Sequence, residues 1–150
     1  MLFGKKKPAL LDRKFIVTGL APEGREDAIR RAGGMLLEGG YVTERYIEGM
    51  LARDRKFSTA IGNMIAIPHG EIEFKKEIRH TGLVVCTYPS GLEWGTETVK
   101  LVVGIAAKGV EHIEILEIMG DAFEDESSVE ELVASADAER ICKLLNPKGI

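Results

Sequence analysis

Residues 99–119 read VKLVVGIAAKGVEHIEILEIM. From Val99 to Ala107, Lys100 aside, the stretch is almost continuously apolar and rich in branched side chains, the pattern of a strand buried on both faces. From Glu111 the period changes. Residues 111–123 are expected to be helical, with Ile113, Leu116, Ile118 and Met119 as apolar positions. A buried strand that passes within a few residues into an amphipathic helix points to an α/β fold.

The same grammar recurs on both sides. Residues 81–88, TGLVVCTY, are β-branched and aromatic and predict a second buried strand, followed by a turn at Pro89-Ser90-Gly91. Residues 64–67 form a shorter apolar run bounded by turn residues, a third strand. Upstream, Ala28, Ile29, Ala32, Met35 and Leu36 predict a helix over 24–38, ended by Gly39-Gly40. Thr43 is placed to cap a second helix, with Tyr46, Ile47, Met50 and Leu51 as its apolar face and Arg53 to Lys56 as a polar exit. Ser127 and Ser128 each precede a glutamate by three residues, two overlapping capping boxes for a helix carrying Val129, Leu132 and Val133. A last helix follows Asp137 and stops near Pro147. There is no internal repeat and no linker. The expected fold class is α/β, a single domain over 1–150 with a sheet covered by helices on both faces.

Composition narrows the function. The chain has 150 residues, 45% hydrophobic and 29% charged, enough for one packed core and too apolar for disorder. The net charge of −4 argues against nucleic acid, whose binders carry a basic surplus. The short basic run Lys5-Lys6-Lys7 is expected to be a solvated tail. Cys86 and Cys142 are far apart, in no CxxC pair, and are expected to be reduced, buried and cytosolic. No signal peptide and no apolar run of about 18–20 residues is present, so the expectation is a free-standing cytoplasmic protein with no direct membrane insertion.

There is no P-loop, GxGxxG, HExxH or GxSxG motif. The chemistry falls to histidine. In residues 62–70, GNMIAIPHG, Pro68 biases Ile67 toward extended backbone, so a strand runs straight to His69, and Gly70 allows a sharp turn after it. Strand ends are where open α/β sheets bind ligands. For a lone Pro-His-Gly, a histidine that merely fills a turn is the commoner case. His112 changes this, because it follows a second strand and is flanked by Glu111 and Glu114, which suits a core role poorly. If the two strands are neighbours, both rings share one cleft. His80, among Lys75, Lys76, Glu77 and Arg79, is expected in a solvated loop. Two imidazoles with Glu71 or Glu111 recruited would make a weak metal site, since zinc wants three or four protein ligands. Two imidazoles plus an arginine suit a transferred phosphoryl group better: a neutral ring attacks, and the other groups hydrogen-bond the oxygens, at about 1.5–3 kcal/mol per charge-assisted bond.

These residues also carry a family resemblance. GNMIAIPHG, with MLARDRKFST before it and GIAAKGVEHIEIL and DESSVEELV after it, closely resembles the IIA domain of the bacterial phosphotransferase system (PTS), mannitol/fructose class, from about Leu10 to Leu145. The resemblance implies a mixed sheet flanked by helices. It implies a phosphorelay in which the histidine phosphocarrier HPr donates to a IIA histidine, and IIA passes the group to a cysteine of a IIB domain during sugar uptake, with no cofactor. Carried onto this chain, it makes His69 the phosphorylated nucleophile, His112 the second active-site histidine and Arg53 the phosphate-binding arginine, with Arg55 the competing choice. Asp54 stands where the family usually has Glu, and Ala60 where a larger residue is common; the latter leaves partner choice open. The resemblance leaves two rivals: a regulatory module of the same fold whose phosphorylation state a partner reads, and a metal-dependent hydrolase built on His69, His112 and a carboxylate.

Overall fold

The structure is a computed structural model and describes residues 9–147; Lys5-Lys6-Lys7 lies outside the described residues. In chain order it contains β1 (Leu11–Val17), α1 (Arg25–Glu38), α2 (Arg45–Lys56), β2 (Ala60–Gly62), β3 (Ile65–Ala66), a 3-10 turn (Ile72–Glu77), β4 (Gly82–Trp94), β5 (Glu97–Ala106), α3 (Glu111–Ala122), α4 (Glu126–Ser135) and α5 (Ala138–Leu144). One five-stranded sheet runs in the order β1-β4-β5-β3-β2. It is mixed: β1 is parallel to β4 and β3 to β5, whereas β4–β5 and β2–β3 are antiparallel.

Alternation along the central strands sorts side chains to two cores. Val84, Cys86 and Tyr88 of β4 point to the face covered by α1 and α2, where Ile29, Leu36, Met50 and Trp94 join them. Leu83 and Val85, with Leu101, Val103 and Ile105 of β5, point to the other face, against Ile115, Met119, Leu132, Val133 and Ile141 of α3, α4 and α5. The predicted α/β sheet with helices on both faces is the observed one.

Several local expectations are corrected. Pro89-Ser90-Gly91 is not a reversal: β4 continues through it to Trp94, with a register shift between Thr87 and Leu92 and the hairpin turn beyond Trp94. Proline has no N–H for the ladder and Gly91 takes φ +78°, so the segment bulges and the strand resumes. The 64–67 strand pairs only over Ile65–Ala66, because Asn63 and Met64 are the left-handed central pair of a tight β2–β3 hairpin, with φ of 53° and 65°. α4 is capped by Asp125, which accepts from the Ser128 N–H at 2.8 Å, so the capping role falls neither to Ser127 nor to Ser128. The Thr43 hydroxyl donates to Glu77 rather than capping α2, and α2 continues through the polar segment to Lys56. Both cysteines are free, but Cys142 is only partly buried. β1 went unpredicted because Asp12, Arg13 and Lys14 interrupt its apolar pattern; Asn146 holds it, bonding both the N–H and the carbonyl of Leu11.

Candidate functional site

The site grows from the β3–β5 pair. Ile65 lies beside Leu101 and Ala66 beside Val102, and the strands run in the same direction, so both end at one edge of the sheet. The Ile105 N–H donates to the Pro68 carbonyl at 2.9 Å, which carries the pairing up to His69. β5 then turns through residues 107–110 into α3, whose second residue is His112. The result is two imidazoles at one lip: ring centroids 5.4 Å apart, planes inclined by 61°.

His69 is half-buried and oriented by its own backbone. Its Nδ1 lies 2.7 Å from the Ile67 carbonyl oxygen. A carbonyl can only accept, so Nδ1 carries the proton and Nε2 keeps its lone pair. Burial disfavours the charged ring, and the nearby Arg53 and His112 add to this; together they hold the His69 pKa below the ordinary imidazole value despite the bond to Ile67 and the proximity of Glu71. The ring is therefore neutral at pH 7, and its Nε2 makes no hydrogen bond among the described residues.

Arg53 lines the same cleft, an opening of about 310 Å³ bounded also by Tyr46, Gly70, Glu71, Ile72, Lys75 and Gly109. Its guanidinium donates to the Phe57 carbonyl and lies 5.8 Å from that ring's centre, leaving further N–H groups for a ligand. Arg55 is turned away: it makes a two-point ion pair with Glu26 of α1, at 2.9 and 3.1 Å. The structure thus brings His69, His112 and Arg53 together and leaves Arg55 and the exposed His80 outside. Glu71 is at the cleft 3.9 Å from Lys56, while Glu111 accepts from the Thr81 hydroxyl. Among the described residues, no group of three or more His, Cys, Asp or Glu side chains is assembled to hold a metal.

Two residues escaped the sequence reading. The sequence pattern puts Tyr46 only on an apolar helix face, yet its hydroxyl donates to the Ile105 carbonyl and accepts from the Gly70 N–H, both at 2.9 Å. The available signal was spacing: Tyr46 and Arg53 are seven residues apart, two turns along one stripe of α2. Asp54, buried to 4% exposure, accepts from the Thr59 N–H and hydroxyl, the Trp94 indole and the Arg25 guanidinium. Burial opposes its charge, but these donors together win and hold the carboxyl below the usual range. Gly70 also has a different reason from the expected turn. Its φ is not positive; a Cβ there would come within 2.5 Å of the Tyr46 ring.

Residues 9–148 match the family described as "Phosphoenolpyruvate-dependent sugar phosphotransferase system, EIIA 2". The chain belongs to this family. It is 41% identical over 123 residues to the mannitol-specific phosphotransferase enzyme IIA component of Bacillus subtilis, covering 81% of this chain and 86% of that one. It is 40% identical over 124 residues to the PTS system mannitol-specific EIICBA component of Escherichia coli, where the match covers 81% of this chain and only 20% of that protein. The chain thus spans about a fifth of the length of such multidomain relatives. Its fold superposes, with a TM-score of 0.84 and 36% identity, on a structure of the Escherichia coli complex of enzyme IIA-Mtl and phosphorylated enzyme IIB-Mtl, covering 93% of this chain and 100% of that one.

Proposed function

We propose that this chain is a phosphoryl carrier of a sugar phosphotransferase system: a phosphotransferase that takes a phosphoryl group from HPr onto His69 and gives it to a cysteine of a IIB protein or domain, in the cytoplasm, for uptake of a mannitol- or fructose-type sugar. The observation that carries the reading is the paired rings, with His69 Nδ1 committed to Ile67 and Nε2 free beside His112. Family membership and the mannitol-specific names of the relatives support it.

The chemistry balances without a cofactor. The His69 Nε2 lone pair forms a new N–P bond as the donor's N–P bond breaks, and that electron pair returns to the donor imidazole. In the second step a cysteine thiolate forms an S–P bond, the pair of the breaking N–P bond returns to Nε2, and the thiol proton has already gone to solvent. Little covalent assistance is needed, so positioning and charge stabilisation dominate. In this reading Arg53 and His112, which line the same cleft as His69, hold the phosphoryl oxygens while the group is in flight. A partner must reach Nε2, and exposed apolar side chains are available to it: Ile72, which lines the cleft, is 79% exposed, and Val110 and Ile113, close in sequence to His112, are 72% and 61% exposed. An interface at the low end of the size range, under about 1,200 Å², suits a carrier that alternates between two proteins.

The test is transfer of radiolabelled phosphate from phospho-HPr. Wild type should become labelled through an acid-labile, base-stable linkage and pass the label to a IIB cysteine. His69→Ala should take up none, and a His69→Ala protein that still accepts phosphate would sink the proposal. His112→Ala should stay folded but transfer slowly. A protein that accepts label yet delivers it to no IIB cysteine would be a sensor rather than a transport component.

A further inference from the structure

His69 is bracketed by two links to one residue of β5. On its N-terminal side the Pro68 carbonyl accepts from the Ile105 N–H at 2.9 Å. On its C-terminal side the Gly70 N–H donates to the Tyr46 hydroxyl, which in turn donates to the Ile105 carbonyl, each at 2.9 Å. The first link is a main-chain bond that prolongs the β3–β5 pairing two residues beyond the end of β3. The second is made through a side chain.

Tyr46 is buried at 2% exposure, and its ring lies so close to Gly70 that no Cβ fits between them. Burial pushes its phenol up to about 12, so the hydroxyl keeps its proton and serves as donor and acceptor at once. The same helix carries Arg53 into the cleft two turns later.

We propose that Tyr46 is a positioning residue for phosphoryl transfer: its hydroxyl, bridging Gly70 and Ile105, locks His69 in register with the strand end that leads to His112. The role rests on the carrier reading above. Its hydroxyl is committed to Gly70 and Ile105, so its part is to set where Nε2 stands relative to His112 and Arg53. A displacement of about 1 Å in such a site is enough to slow reaction by up to about a hundredfold.

Tyr46→Phe keeps the ring and removes only the bridge. Measured with phospho-HPr as donor, its kcat should fall about tenfold with KM little changed, the signature of a group that acts on the reacting geometry rather than on docking. Nitrogen-15 spectra of the imidazoles should show displaced His69 signals and an altered His69 titration. A purely structural tyrosine would lower the melting temperature while leaving kcat per folded molecule and the His69 signals as in wild type, and that result overturns the proposal. Gly70→Ala approaches the same contact from the other side, pushing the ring away with its hydroxyl intact. It should reproduce the kcat loss, and a wild-type kcat there would also count against the bridge. A wild type that takes no label defeats the carrier reading and this role with it. A labelled wild type with an unaltered Tyr46→Phe defeats this role alone.

Discussion

The two cores of this molecule are built differently. The core beneath α3, α4 and α5 is aliphatic apart from Met119 and Phe123. The core beneath α1 and α2 includes Tyr46, Tyr88 and Trp94, and each polar tip is bonded: Tyr46 to Ile105 and Gly70, Tyr88 to Glu23, Trp94 to Asp54. Aliphatic packing is non-directional and tolerates small slides. A buried hydrogen bond fixes a distance and an angle, and is costly to leave unmade. The aliphatic face therefore seats α3, which carries His112, by non-directional packing alone, whereas the other face adds directed bonds that fix the His69 segment and the helix of Arg53. Tyr46 ties the His69 segment, while Asp54 ties Thr59, whose carbonyl accepts from Ile67 N–H at 2.9 Å, to the helix that carries Arg53.

The difference is open to direct attack. Asp54→Ala should be the most damaging change outside the cleft. It strands the Arg25 guanidinium, the Trp94 indole and both donors of Thr59, and loss of one partner of a buried charged pair costs about 3–5 kcal/mol. Urea unfolding should show this as a lower midpoint, and transfer per folded molecule should also fall. Leu132→Ala in the opposite core should cost about 2–5 kcal/mol through its cavity, yet leave transfer per folded molecule unchanged. Equal slowing of transfer by both substitutions would abolish the distinction.

The same contrast governs what could be read from the sequence. Apolar periodicity encodes much of the aliphatic core openly: β5 and the central part of β4 stand out by pattern, and α3 is legible as a helix, although its buried side chains are Ile115 and Met119 while the expected Ile113 and Leu116 are exposed. His69 and His112 were legible because proline, glycine and two strand ends frame them. Directional contacts leave weaker traces. Asp54 sits in a run of charges, Arg53 to Lys56, where nothing local says that one carboxylate points inward while Arg55 pairs outward with Glu26. Tyr46 looks like any apolar helix position, because its partners are main-chain groups 24 and 59 residues away. β1 was hidden by its three charges, and β2 by being three residues long. Such features are set by tertiary contacts, and single-sequence periodicity does not report those.

A smaller effect sharpens the account of the cleft through pH. The folded-state pKa of His69 lies below the ordinary value of about 6.5, first because of burial and then because of Arg53 and His112. The unfolded chain therefore binds the proton more readily. The contribution to stability is present above about 6.5 and is lost as pH falls from there through the folded value. In the proposed carrier role acceptance of phosphate needs the neutral His69 ring, so its acidic limb should also lie below 6.5 in a profile of kcat/KM against pH. Arg53→Gln removes one positive neighbour and should move that limb upward. A limb that stays fixed would mean that Arg53 does not act on His69.

The smallest expected change separates the two arginines at the end of α2. Arg55 and Glu26 form an exposed ion pair whose Coulomb gain is offset by screening and by the ordering of two long side chains. Arg55→Gln should leave both the urea midpoint and the transfer rate within error of wild type. Arg53→Gln, two positions away, should slow transfer by about tenfold to a hundredfold at the same stability if the proposed carrier role holds, because Arg53 lines the cleft beside His69 whereas Arg55 pairs with Glu26 at the surface. The comparison is clean because both substitutions remove one positive charge from the same helical turn and leave the net charge of the protein equally altered. If Arg55→Gln proves the slower enzyme, long-range charge rather than local geometry carries the arginine's effect, and Arg53 loses its place in the cleft.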